Sequence, residues 1–330
     1  MNAPFELANQ RVRLAIAGAV SRPGVDGEPG DPPDAACTAV AQDGAVLASC
    51  SLWWRRAPLL AGRGTGLIGH YFSADAQAGE RLITRACAEL AARGCEVAVG
   101  PMDGSTWDDY RFVIERDAAP RFFMEPDNHD DWPLQFQRSG FSAIAHYRSA
   151  LQTDLTLDDR RISRVTERIS ASGIHIRCID TRRFEEELER MHALVMAGFR
   201  DSLFFTPIRA EEFVRRHRRL LPCVRQDLVL IAEQGGKPVA LLFAIPDLAQ
   251  MQRGEPIDTA IVKTVVALPG RANAGIAHLL TARAATVARE AGYRRAIHAL
   301  MRESIHSANW SARWGATIRR YALFAKPLGR

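Results

Sequence analysis

The stretch "VVALPGRANAGIAHLLTARAATVAREAGY", Val265 to Tyr293, decides the fold. A β-type run reaches Pro269, passes through small residues and opens into a helix that begins near Gly275 and is closed by Gly292. Ile276, Leu279, Leu280, Val287 and Ala291 lie on one helical face. A strand, a turn of small side chains and a helix start with unpaired N–H groups make a place for an anion: the helix end is positive and the backbone can come close. The residues in position are Arg271, Ala272, Asn273, Ala274, Gly275, Ile276 and Ala277. Turns that serve packing alone also carry glycine and alanine, so on these residues packing and phosphate binding stand level. The pattern is neither G-x-G-x-x-G with an acidic residue on the next strand nor a Gly-Lys-Ser/Thr loop.

Outward from this unit, "DLVLIAEQGGKPVALLFAIPD" (Asp227–Asp247) gives two strands joined at Gly235-Gly236, and "DTAIVKTVVALP" (Asp258–Pro269) another. "YRRAIHALM" (Tyr293–Met301) reads as a buried strand, and "TIRRYALFAKPL" (Thr317–Leu328) as the last one. The first half repeats the order with "DGAVLASCSLWW", "GTGLIGHYF", the amphipathic "AGERLITRACAELAARG" and the strand "CEVAVGPM" (Cys95–Met102). Then "LQFQRSGFSAIAHYRSAL" (Leu134–Leu151) supplies a short helix, a glycine and a strand. The echo predicts two copies of one α/β domain with a mixed sheet. The expected boundaries are 1–155 and 174–330, with the polar, arginine-rich 156–173 as a linker able to become helical. The first copy holds an extra stretch, 103–132, dense in aromatic and acidic groups, and a loop that long inside a compact domain is usually functional.

A chain of 330 residues, 47% hydrophobic and 25% charged, fits a globular protein of about two domains. No apolar run is long enough to span a bilayer, and "MNAPFELANQ" lacks the form of a secretory signal, so a cytoplasmic location and no membrane partner are expected. The six cysteines form no C-x-x-C pair, which speaks against zinc clusters and disulfide frameworks. The net charge of +5 is modest, and although only three of 43 basic residues are lysines, no basic run is concentrated enough to favour nucleic acid.

With these elements in place, the second half resembles the Gcn5-related N-acetyltransferase (GNAT) family. The resemblance rests on "VVALPGRANAGIAHLL", "AREAGYRRAIHALM" and "NWSARWGATIRRYALFAKPL". It implies a turn of the form Gln/Arg-x-x-Gly-x-Gly/Ala that binds the pyrophosphate of coenzyme A. Gly275 and Ala277 match its last two positions; the first falls on Ala272, with Arg271 one residue early. The first half is also similar to this fold, which makes the chain a tandem of two GNAT-like, acyl-CoA N-acyltransferase-like domains. Its own turn, "FSADAQAGERL" (Phe72–Leu82), lacks the second small residue and carries Glu80, so the first domain reads as degenerate.

The function implied is acyl transfer, most economically acetyl, from acyl-CoA to a small amine, with no metal. Backbone N–H groups near Val266 and Leu268 would polarise the thioester carbonyl. His298 is the first choice of general base, with Glu303 and His306 next, and Lys263 as a mid-strand cation that could face a cleft or snorkel to the surface. The family's acidic tyrosine has no counterpart in "SANWSARWG"; Tyr321 follows on the next strand, and Ser307 and Asn309 fall where the family contacts pantetheine. In the inserted loop, Trp107, Asp108, Asp109, Tyr110, Glu125 and Asp127 suit a cationic amine, or else pin the loop and face water; His129 lacks further ligands at metal spacing. Two other functions remain open: a transferase using aminoacyl-tRNA or an acyl carrier protein as donor, and a GNAT-like binding protein without activity.

Overall fold

The computed structural model describes residues 13–18, 32–156, 160–303 and 315–329. In chain order the elements begin with β1 (Arg13–Gly18), β2 (Ala35–Val40), β3 (Val46–Trp53), β4 (Thr65–Ser73), α1 (Ala76–Ala92), β5 (Val97–Gly100), β6 (Phe112–Arg116), α2 (Trp132–Arg138) and β7 (Ser142–Gln152). They continue with α3 (Arg160–Ala171), β8 (Ile174–Cys178), α4 (Phe184–Gly198), α5 (Ala210–Arg218), β9 (Val229–Gln234) and β10 (Lys237–Pro246). The chain closes with α6 (Leu248–Gln252), β11 (Thr259–Ala267), α7 (Ile276–Glu290), β12 (Arg295–Arg302) and β13 (Ala316–Pro327).

The chain forms two compact units, and neither is one continuous piece of sequence. The first takes Met1–Ile114, Pro126–His146 and Tyr321–Arg330; the second takes Glu115–Glu125 and Tyr147–Arg320. In the first, β1 to β4 pair antiparallel in sequence order, and β4 meets β5 in parallel from Thr65↔Val97 to Leu67↔Val99. The end of β13 then closes on β5 antiparallel, Phe324 against Gly100 and Pro327 against Val97. The second unit repeats the pattern: β8 to β11 antiparallel, β11 parallel to β12, and Tyr147–Gln152 of β7 antiparallel to β12. Each parallel pair is bridged by one helix, α1 or α7, as a parallel crossover requires.

Each closing strand therefore comes from the half of the sequence that otherwise builds the other unit. Boundaries at 155 and 174 would give Tyr147–Leu155 to the first domain and Tyr321–Arg330 to the second; the compact units group them the other way. The 12-residue α3 occupies the stretch read as a linker.

Hydrophobic spacing places each core. Along β10, Val239 to Ile245 is almost continuously buried, the mark of a strand covered on both faces, and α4 and α7 both lie against it. On α7, Ile276, Leu279, Leu280, Ala284 and Ala288 share a cluster with Leu230, Leu242 and Tyr293. In the first unit Leu82, Ile83, Ala86 and Leu90 of α1 fill the equivalent place beside Leu52, Ile68 and Phe136. Here Gly79 is a packing residue: a Cβ would overlap Gln135, Tyr71 and Ser73.

Candidate functional site

The candidate site expected in the second half of the chain falls in the second unit. The β11–β12 ladder runs only from Thr259↔Arg295 to Val262↔His298, although β11 continues to Ala267 and β12 to Arg302. Past His298 the register of β12 slips, Leu300 turns to φ 56, and its N–H donates to Ser149 Oγ at 3.2 Å instead of to β11. The two strands stop pairing midway along β11, five residues before its end.

That turn is tight. Asn273 N–H donates to Gly270 O at 3.2 Å, Ala274 N–H to Arg271 O at 3.3 Å and Ile276 N–H to Asn273 O at 3.1 Å, while Asn273 Nδ2 ties back to Leu268 O at 3.1 Å. Gly275 caps α7 at φ 81, the left-handed region that glycine enters without penalty, and gives no side chain to the helix end. Among the described residues the N–H groups of Gly275 and Ala277 have no backbone acceptor, while Ile276 is fully buried and anchors the first turn. Arg271, Ala272 and Ala274 are exposed.

One contributor was not legible as such. α3 packs beside α7, and the Arg168 guanidinium donates to Ala274 O. Val165 methyls would stand 3.1 and 3.3 Å from a Cβ on Gly275, so this glycine serves both the left-handed turn and the approach of α3. Because a trans peptide points its C=O and N–H in opposite directions, holding Ala274 O fixes the direction of Gly275 N–H. The arginine-rich 156–173 was the only signal in the sequence.

The first unit differs at the matching helix. The Asp75 carboxylate caps α1 by accepting from Ala78 N–H at 2.7 Å, so its own side chain already occupies the anion position.

Several expected site residues have other roles. Leu268 N–H donates to Val239 O at 2.9 Å, so it faces β10. In an extended strand, N–H groups two residues apart point the same way; Val266 therefore faces β10 too, and the amides toward the opening are those of Val265 and Ala267. His298 is buried and its Nε2 lies 2.9 Å from Gln152 Oε1; because that oxygen accepts, Nε2 carries the proton. Burial pushes its pKa down to about 4, so the ring is neutral near pH 7. Glu303 is ion-paired with Arg320, whose Nε is also 2.8 Å from Glu115 Oε2. Tyr321 is fully buried and belongs to the first unit. His306, Ser307 and Asn309 lie outside the described residues.

The inserted stretch is divided between the units. Its Glu115–Glu125 part belongs to the second, where Phe122 packs with Ile245, Ile261, Ile297, Ala299 and Ile318. Phe123 N–H donates to Asp247 Oδ1 at 2.7 Å, and Lys263 Nζ donates to Met124 O at 3.1 Å, so Lys263 ties down this segment. Glu125, expected to meet substrate, is 1% exposed; its Oε1 lies 3.0 Å from Nε of the equally buried Arg319, and its Oε2 accepts from Phe122 N–H at 3.1 Å. That Nε has no well-aligned hydrogen bond, so the contact with Glu125 is an ion pair by proximity. Trp107, Asp108, Asp109 and Tyr110 belong to the first unit. There Asp108 Oδ2 accepts from Ser105 Oγ at 2.9 Å, Asp109 O accepts from Asp103 N–H at 2.8 Å, and the Arg111 guanidinium covers the Tyr110 ring at 3.7 Å. The tyrosine face that would hold a cationic amine is already engaged by that arginine. Among the described residues no three His, Cys, Asp or Glu side chains are grouped to hold a metal, and no helix is long and apolar enough to cross a membrane.

With this geometry in place, comparison with known proteins shows the fold. The fold is that of GCN5-related N-acetyltransferases. A solved GCN5-related N-acetyltransferase from Sphaerobacter thermophilus aligns over 89% of this chain and 81% of its own, at TM-score 0.51 and 14% identity. A GCN5-related glucosamine N-acetyltransferase region of a fungal multi-domain GH3 β-N-acetylglucosaminidase aligns over 88% of this chain and 33% of its own, at TM-score 0.53 and 14% identity. In sequence, the chain is similar to Protein YghO of Escherichia coli (strain K12), 24% identical over 188 residues, 54% of this chain. The match spans about half of that protein, 47% of its length. No protein-family model matches the chain.

Proposed function

We propose that the chain is an acyl-CoA-dependent N-acyltransferase, with acetyl-CoA as donor and a small amine as acceptor, acting through its second unit. One observation carries the proposal: α7 starts on the left-handed Gly275 with no side-chain cap, and the half of β11 that leads toward it, Lys263 to Ala267, is not paired with β12. The turn fits a pyrophosphate because Ala272, Ala274 and Gly275 leave its backbone open, the N–H groups of Gly275 and Ala277 have no backbone acceptor among the described residues, and Arg168 holds the Ala274–Gly275 peptide in place. The donor supplies a thioester carbonyl for attack by the amine. Val265 and Ala267 present N–H groups on the open edge of β11, where they polarise a carbonyl oxygen. His298 is the base we assign: its ring is neutral near pH 7, and the burial that lowers its pKa to about 4 also makes it a weak proton acceptor.

The experiment is thermal shift and titration calorimetry with coenzyme A and acetyl-CoA. The melting temperature should rise with ligand excess over the dissociation constant, and Gly275→Glu should remove the rise. Absence of a shift at millimolar coenzyme A, with salt-sensitive binding of charged tRNA in its place, would move the donor to aminoacyl-tRNA.

A further inference from the structure

The first unit holds a cluster of reactive side chains that the chemistry above does not use. At Gly69 on β4 a Cβ would overlap the Met102 carbonyl and the Asp103 carboxylate, so the chain leaving β5 runs directly against the strand there. This approach lets Asp103 Oδ1 accept from His70 N–H at 2.5 Å. His70 sits at φ 45, a left-handed conformation rare for a residue with a side chain, and it turns the imidazole toward β3. Nδ1 lies 3.1 Å from Ser51 Oγ and Nε2 lies 3.7 Å from Asp103 Oδ2. The Trp53 ring stands edge-on to the imidazole with centroids 5.2 Å apart. The His70 side chain is 37% exposed and that of Asp103 21%, while Ser51 beneath them is 9% exposed.

A hydroxyl within reach of an imidazole, whose other nitrogen faces a carboxylate, is the arrangement that activates a nucleophile. The imidazole nitrogens are exchanged relative to the commonest arrangement, Nδ1 facing the hydroxyl, and either nitrogen can accept a proton. We propose that Ser51, His70 and Asp103 form a second catalytic centre, in which His70 draws the proton from Ser51 and the serine attacks a small ester or thioester. In the first half-reaction a Ser51 Oγ–C bond forms and the C–O or C–S bond to the leaving group breaks. The proton passes from Oγ to His70 Nδ1 and on to the departing alkoxide or thiolate. Water then attacks the acyl-serine, giving its proton to His70; the carboxylic acid leaves and Ser51 Oγ regains a proton. Asp103 is a positioning residue, which fixes the His70 backbone through Oδ1 and faces the imidazolium through Oδ2.

The test uses the full chain and an alkyl fluorophosphonate, which bonds to an activated serine oxygen with loss of fluoride. Peptide mass spectrometry should find one adduct on Ser51, absent in Ser51→Ala. The labelling rate should fall at least about 100-fold in His70→Gln, the size expected for loss of a positioned base. Asp103→Asn is read in parallel and should also slow labelling, so the relay stays testable if His70→Gln does not fold. A wild-type chain unlabelled at Ser51, or His70→Gln and Asp103→Asn labelled at the wild-type rate, would overturn the proposal. None of these outcomes depends on coenzyme A binding.

Discussion

Glu125 and Arg319 are 1% and 3% exposed, so each charge depends on the other and on its remaining partners inside the second unit. Removing one member of a buried pair costs about 3 kcal/mol or more when the other is left unpaired; Arg319 Nη1 keeps Asp117 Oδ1 at 2.6 Å, which offsets part of the loss. Glu125→Gln should therefore lower the urea midpoint far more than Asp109→Asn, an exposed change expected within about 0.5 kcal/mol. A double change to apolar residues of similar volume should recover much of the loss. His298 gives a second expectation, in pH. Burial disfavours its charged form, so its folded pKa of about 4 lies below the unfolded value of roughly 6.5. Its contribution is complete above about pH 6.5 and is lost as pH falls through that value toward 4, because the unfolded chain then takes up a proton that the folded chain does not. His298→Gln should show a shallower loss of stability than the parent between these values, read from denaturant melts at stepped pH. If the two chains lose stability in parallel, the ring is not held neutral by burial. In the proposed reaction the same substitution should lower kcat while leaving coenzyme A affinity within about twofold.

Among the elements, α1 and α7 are the informative pair. Both bridge a parallel strand pair, yet Asp75 fills the N-terminus of α1 and, among the described residues, no side chain caps that of α7. Asp75→Ala should cost about 1 kcal/mol of stability, the usual value of a lost N-cap, and should not create coenzyme A binding in the first unit. At the other helix, Arg168→Ala should weaken coenzyme A about tenfold by calorimetry, since the Ala274–Gly275 peptide loses the group that holds its carbonyl. Affinity for a pantetheine fragment without the pyrophosphate should stay the same; an equal loss for both would mean that α3 acts on the whole unit. Gly275→Ala should cost about 1–3 kcal/mol from its positive φ and from crowding against Val165.

For the whole molecule, the exchange of closing strands has the largest consequence. The first unit takes its last strand from the carboxyl end of the chain, where Phe324 to Pro327 pair with β5. Ending the chain at Arg320 should therefore expose the first unit: hydrogen exchange should accelerate in β5 and α1 and remain slow in β8 to β11. Unchanged exchange in β5 would show that the pairing contributes little. The sequence made much of this fold legible. Alternation and helical spacing marked the strands and helices of the repeat, the glycine-closed helices marked the repeat itself, and the turn at Gly275 marked the candidate anion site, because each depends on side chains only a few residues apart. The site was legible in part. Glu125 looked like a substrate carboxylate until Arg319 was brought beside it, and Leu268 looked like an open donor until β10 took its N–H. Ser51, His70 and Asp103 were not singled out at all, since nothing in their spacing predicts a common centre. By itself the sequence determined the kinds and order of the repeated strands and helices, for these are set by local periodicity. Only the tertiary structure decided which strand closes which unit, which charges are buried and which amides stay open, because those depend on partners far along the chain.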